Sequence, residues 1–256
     1  MKAEPRGKLL QAADLPTAIL IDGAYFLLRF AHTFSTFNPQ SSDHVAFGVQ
    51  HIPAYHLAIR MGSKQMLAAL AAGDYLPHEH PQLYHIFFYD CPPLANRMHL
   101  LISKRALVLS STPQAIFQNA VHERLRHVRK VPLRLGRLND SFDWKMTPDA
   151  MKPLKKAPAD FVAADEDFAL NVVQKGVDMR LGLDAASLAY KRQVDQIVLV
   201  AGDADFVPAA KLARREGIDV VIDPMWCQPA RDLVEHCDGV RSSKMAGPTA
   251  MKAERK

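Results

Sequence analysis

Three short apolar runs in this sequence end at an aspartate: "AILID" at 18–22, "LYHIFFYD" at 83–90 and "IVLVAG" at 197–202, with Asp203 next. Runs of this length, rich in β-branched and aromatic residues and bounded by Gly or Pro, predict strands buried on both faces. Segments with helical spacing alternate with them: "AYFLLRFAHTF" after the first, "PAYHLAIRMGSKQMLAALAA" (53–72) before the second, and "FVPAAKLARREG" (206–217) after the third. A further strand is expected in "DVVIDP" (219–224), a short last helix near 229–236, and Gly217 is placed to end the helix before that strand. Strands separated by helices imply an open, mostly parallel, Rossmann-like α/β sheet with helices on both faces. Binding sites in such sheets form at the carboxyl ends of the strands, where Asp22, Asp90 and Asp203 are expected to surface.

Between the second and third runs the pattern is interrupted. Residues 95–157 hold thirteen Lys/Arg against four Asp/Glu, a net +9 that leaves the rest of this +5 chain at −4. This stretch reads as a basic insertion, with a helix over 112–130, a strand over 131–138 and a loop or lid over 140–160. A helix resumes over 177–193, and residues 36–43 read as a loop. The expected organisation is a polar lead-in (1–14), a single domain (15–240) carrying the insertion, and a flexible tail (241–256).

Bulk properties narrow the function. At 48% hydrophobic and 23% charged residues, the chain has the composition of a soluble globular protein. No apolar run reaches the ~18–20 residues of a membrane span, and the first residues contain no signal-like apolar region. Three cysteines without CxxC spacing fit reduced thiols, and a cytoplasmic location is expected. An acidic body with one basic region suits an anionic polymer docking beside a cation site.

The carboxylates are the chemical core of the reading. Asp22, Asp203 and Asp205 follow strands, and "QKGVDMRLGLDAA" adds Asp178 and Asp184 near a helix start. Converging carboxylates repel each other unless a cation lies between them, and Mg²⁺ or Mn²⁺ binds through a few carboxylates plus phosphate. Each residue also has a plainer role: Asp178 or Asp205 as a helix cap, and Asp90, before Cys-Pro-Pro, as a structural residue. On one straight helix, Asp178 and Asp184 would point ~120° apart. His78 and His80 have H-x-H spacing, but the adjoining prolines favour a surface loop over a zinc site.

"ILIDGAYF", "IFFYDCPP", "KGVDMRLGLDAASLA" and "IVLVAGDADFVPAAKLARREGIDV", in this order and spacing, resemble the NYN domain, in the LabA-like branch of the PIN-like nucleases. The resemblance covers most of the chain outside 95–157 and the two ends. It implies a PIN-like sheet and a Mg²⁺- or Mn²⁺-dependent ribonuclease site. Asp22, Asp178, Asp203 and Asp205 occupy its catalytic positions, with Asp184 at a second acidic one. Tyr25 stands where many members have Asn, and Ala201 and Ala204 where Ser or Thr often occur. These departures remove polar contacts and keep a non-catalytic RNA-binding adaptor as the alternative.

The expected reaction is metal-assisted phosphodiester hydrolysis, with Asp22, Asp178, Asp184 and Asp203 as metal ligands. Arg124, Arg126, Arg129, Lys130, Arg134, Arg137 and Lys175 would track the nucleic-acid backbone, and Tyr25 or Trp144 would stack on bases. Phe88 fits core packing better. Single-stranded RNA is the expected partner, with DNA as a second candidate and homo-oligomerisation left open. A small-nucleotide phosphohydrolase is a third reading. A dehydrogenase is disfavoured because "IDGAYF" lacks the Gly-x-Gly-x-x-Gly turn.

Overall fold

The computed structural model describes residues 15–72, 80–139 and 143–243. The expected lead-in (1–14), His78 and the tail from 244 lie outside the described residues.

In chain order the elements are β1 (Thr17–Asp22), α1 (Gly23–Thr33), α2 (Ser42–Arg60), α3 (Lys64–Ala72), β2 (Leu83–Asp90), β3 (Arg97–His99) and β4 (Ala106–Val108). They continue with α4 (Pro113–Arg126), β5 (Leu133–Leu135), β6 (Arg137–Leu138), β7 (Trp144–Met146), α5 (Pro148–Lys156), β8 (Phe168–Leu170), β9 (Gln174–Lys175) and α6 (Val177–Tyr190). The chain then forms β10 (Gln196–Val200), α7 (Val207–Arg215), β11 (Asp219–Ile222), α8 (Arg231–Glu235) and β12 (Gly239–Val240). No helix among the described residues is long and apolar enough to cross a membrane.

Six strands form one sheet in the order β12-β11-β10-β1-β2-β5, with every pairing parallel. Side chains alternate across it, and each face is covered. Ile19, Ile21, Phe88, Val198 and Val200 pack under α1, α2 and α4 through Phe26, Phe30, Val49, Ile52, Val121 and Leu125. Leu20, Tyr89, Leu199 and Ala201 pack under α6 and α7 through Leu181, Ala185, Leu188 and Ala210. Burial on both sides explains why these strands read as unbroken apolar runs.

Several expected boundaries change. The helix expected over 53–72 is two helices. The first starts at Ser42, capped by Ser41, and a left-handed Gly62 separates it from the second. The basic segment is also only partly an insertion. α4 and β5 belong to the main body, because β5 pairs with β2 and α4 packs on α2. What leaves the sheet is the β3–β4 hairpin and an arm from Gly136 to Gly176, closed by β6–β9 and β7–β8 pairing. The stretch 140–160, expected as a loop, contributes β7 and α5 to that arm.

Residues 241–243, expected in the tail, are bonded to the domain. Arg241 N donates to Ile222 O, and Ser243 donates through N and Oγ to the fully buried Asp223. Asp223 also faces His56 Nε2 at 3.0 Å and accepts from Met225 N. A second buried acid, Asp90, accepts from Gln118 Nε2 and Cys91 N and meets His122 Nε2 at 2.7 Å. Its oxygens are engaged inside the protein, in keeping with the structural role expected for it.

A candidate active site at the switch point of the sheet

From β1 the chain builds outward to β2 and β5, then crosses back to add β10, β11 and β12 on the other side. The reversal lies between β1 and β10, the place where open α/β sheets form a crevice. Ile21 pairs with Val200 across it, so Asp22 and the Gly202-Asp203 turn emerge side by side.

Asp22 caps α1: its Oδ1 accepts from Tyr25 N at 3.2 Å. It is half-buried, and burial is the main reason its pKa rises from 3.8 to about 6, with added repulsion from Asp178 and Asp203. The amides of Tyr25 and Ala24 partly offset that rise. Asp178 is also pushed up, by burial and then by Asp205 and Asp203. Mutual repulsion therefore ties Asp22, Asp178, Asp203 and Asp205 into one electrostatic unit. Asp203 makes no side-chain cap and Asp205 lies in a single 3₁₀ turn, so the plainer capping role does not account for either. Asp178 is in the first turn of α6, after Gly176 at φ 80°, a conformation that favours glycine.

Asp184 is placed differently. Its Oδ2 accepts from Arg134 Nε at 2.9 Å and from Tyr89 Oη at 3.0 Å. The helical rotation between positions 178 and 184 sends one carboxylate to the crevice and the other toward β2 and β5. Asp184, expected as a metal ligand, is engaged in an ion pair with Arg134. Arg134, expected on nucleic acid, is committed to that pair and lies over the Phe87 ring at 5.1 Å.

The other expected cations divide by position. Arg124, Arg126, Arg129 and Lys130 lie at the end of α4 and the entry to β5, and Lys130 Nζ donates to Leu83 O at the start of β2. His122, earlier on α4, bonds Asp90 at the carboxyl end of β2, and Ile86 N donates to Lys130 O, so α4 runs from that edge down to the middle of β2. Arg124 pairs with Asp43 and Arg126 with Glu123. Arg137 and Lys175 are at the carboxyl edge, directly opposite each other in the β6–β9 pair, and both are exposed. Arg180, missed by the sequence reading, is exposed one turn into α6, and its charge reaches Cys91 at the end of β2. Its position two residues after Asp178 was the available signal.

Tyr25 is not a free stacking ring. A Cβ on Gly202 would lie 2.7 Å from the Tyr25 ring, so only glycine lets the ring cover that turn. Its Oη donates to Pro224 O at 2.7 Å, and burial pushes its pKa well up. Tyr25 is a floor for the Asp203 turn. Phe88 is core, as expected, and Trp144 lines an apolar cavity of the arm with Leu138, Phe168 and Leu170. His80 Nδ1 accepts from Gln82 N. Cys91, Cys227 and Cys237 are free thiols.

Among the described residues, no three His, Cys, Asp or Glu side chains enclose a metal position. The donor set nevertheless suits a hard cation: four carboxylates, two of them with raised pKa, whose repulsion a divalent ion would relieve. Mg²⁺ needs only one or two carboxylates when water and phosphate complete its shell. No curated protein and no solved structure matches the chain. A family model does: residues 166–244, which carry Asp178, Asp203 and Asp205 but not Asp22, are similar to the NYN domain.

Proposed function

We propose that this protein is a divalent-metal-dependent ribonuclease that hydrolyses phosphodiester bonds at the carboxylates of the switch-point crevice. The observation that carries the reading is the coupling of Asp22, Asp178, Asp203 and Asp205 at one sheet edge, three of them within the NYN match. Mg²⁺ or Mn²⁺ bound there would supply an activated water and neutralise charge on the leaving oxygen.

Asp22, which ends β1, and Asp203, three residues beyond β10, are the primary ligands, anchored because β1 and β10 are buried and paired. Asp178 approaches from α6. Asp205, one turn farther on, orients its neighbours or acts through water. Arg137, Lys175 and Arg180 hold the phosphates of single-stranded RNA beside the crevice. Arg137 and Lys175 are like charges placed directly opposite, an arrangement that costs stability without an anion. A phosphate bound between them removes that cost.

The test is single-turnover cleavage of labelled single-stranded RNA and DNA with Mn²⁺, Mg²⁺ or EDTA. Asp22→Asn and Asp203→Asn should abolish cleavage, while Asp205→Asn should retain a rate ~10–100-fold reduced. Full activity in either of the first two overturns the mechanism. RNA binding by wild-type protein without cleavage under any cation would leave the non-catalytic adaptor.

A further inference from the structure

Beside the crevice, the chain turns sharply after β11. Met225 at φ 46° and Trp226 at φ 63° are two consecutive non-glycine residues in the left-handed region. Such residues are strained and persist only when their surroundings hold them there. The hold is extensive. Met225 N donates to Asp223 Oδ1, and Met225 O accepts from the Arg29 guanidinium and from Thr33 Oγ1. Trp226 N donates to Ser242 Oγ and Trp226 Nε1 to Ser243 O, both at 2.9 Å.

The consequence is an anchored indole that stays 52% exposed. Both of its N–H groups are used inside the protein, so the ring face is what it offers a ligand. Trp226 borders a cavity of about 610 Å³ whose other walls include Tyr55, Pro224, Pro229, Val240 and Arg241. That volume falls within the range of small-ligand pockets. The cavity adjoins the carboxylates: Tyr25, which covers Gly202, bonds to Pro224 O, and Ala230 N donates to Gly202 O at 2.9 Å.

We propose that this cavity is a nucleobase subsite, with Trp226 as the stacking platform for a base flanking the scissile phosphate and Arg241 available to its phosphate. Its occupant rests on the nuclease reading, because a nucleic-acid strand crossing Asp22 and Asp203 meets this cavity next. Stacking on an aromatic face tolerates any base, so the subsite grips the strand without selecting sequence.

The experiment uses the full chain with Trp144→Phe, which leaves Trp226 as the single tryptophan of the two. Emission is followed in EDTA during titration with a short single-stranded oligoadenylate and with an abasic strand of equal length. The oligoadenylate should quench Trp226 and the abasic strand should not. Trp226→Gly, the residue best suited to φ 63°, should weaken oligoadenylate binding roughly 5- to 150-fold, the equivalent of ~1–3 kcal/mol per stacked base. Its affinity for the abasic strand should not change.

Equal quenching by both strands, or unchanged affinity in Trp226→Gly, overturns the subsite. If Trp226→Gly does not fold, the comparison of the two strands decides alone. Cleavage by wild-type protein without base-dependent quenching removes the subsite and leaves the nuclease. Base-dependent quenching without cleavage under any cation removes the nuclease and leaves the subsite.

Discussion

Arg134 Nε donates to Asp184 Oδ2 at 2.9 Å, joining a strand of the basic segment to the helix that carries Asp178. The buried Tyr89 hydroxyl completes the pair at 3.0 Å. Two residues with functional promise thus cancel each other's charge and lock α6 against β2 and β5. Asp184→Ala should destabilise the protein by ~1–3 kcal/mol, because Tyr89 and Arg134 lose a partner in a partly buried place. Its Mn²⁺-induced rise in Tm should match that of wild type. Loss of that rise would return Asp184 to the metal site.

The remaining carboxylates should make the metal-free fold pH-sensitive. Between pH 3.8 and about 6 the folded state keeps a proton on Asp22 that the unfolded chain has lost. The contribution of Asp22 to stability therefore falls as pH rises through that window, and the deficit is complete above it. Asp22→Asn should raise the metal-free Tm at pH 7.5 and leave it unchanged near pH 4. Each pKa unit is worth ~1.4 kcal/mol, and solvent screening of a half-buried group reduces the expected gain to ~1 kcal/mol, or ~2–4 °C. Equal melting at pH 7.5 would show that burial does not hold the Asp22 carboxyl above its ordinary range.

A divalent ion that binds only the folded state must raise Tm with concentration. Millimolar Mn²⁺ or Mg²⁺ should do so in wild type, and Asp203→Asn should remove most of the effect. A wild-type melting curve indifferent to both ions would count against a metal site.

RNA affinity should depend on the cations that flank the crevice. Alanine at Arg137, Lys175 and Arg180 should lower the salt slope of single-strand binding by ~0.7 for each phosphate that no longer meets a cation. Because Arg137 and Lys175 repel each other, removing either should not lower Tm. Alanine at Arg126, Arg129 and Lys130, at the end of α4 and the turn into β5, should leave the slope unchanged. A reversed pattern in a filter-binding or anisotropy titration would move the docking surface to the end of α4.

The strap at the end of the domain should matter to stability. Ser243→Ala removes a donor from Asp223, a fully buried carboxylate, and should cost ~1–3 kcal/mol in denaturant unfolding. A change below ~0.5 kcal/mol would mean that Asp223 is satisfied by its other donors.

Local sequence determined the strand framework and the acids at its carboxyl edge. β2 matches its expected span at both ends, and β1, β10 and β11 lie within a residue or two of theirs, because burial on both faces writes a continuous apolar run. Gly202 and Gly217 stand where the chain turns, and Asp22 and Asp203 follow their strands as parallel topology requires. Helix periodicity also anticipated the divergence of Asp178 and Asp184. Tertiary structure alone decided the partners. Asp184 meets Arg134, Tyr25 covers Gly202 and Ser243 reaches Asp223 across 50, 177 and 20 residues of chain. Where each cation lies relative to the crevice depends on the direction of α4 and the register of β6 with β9, and neither leaves a periodic mark in the sequence.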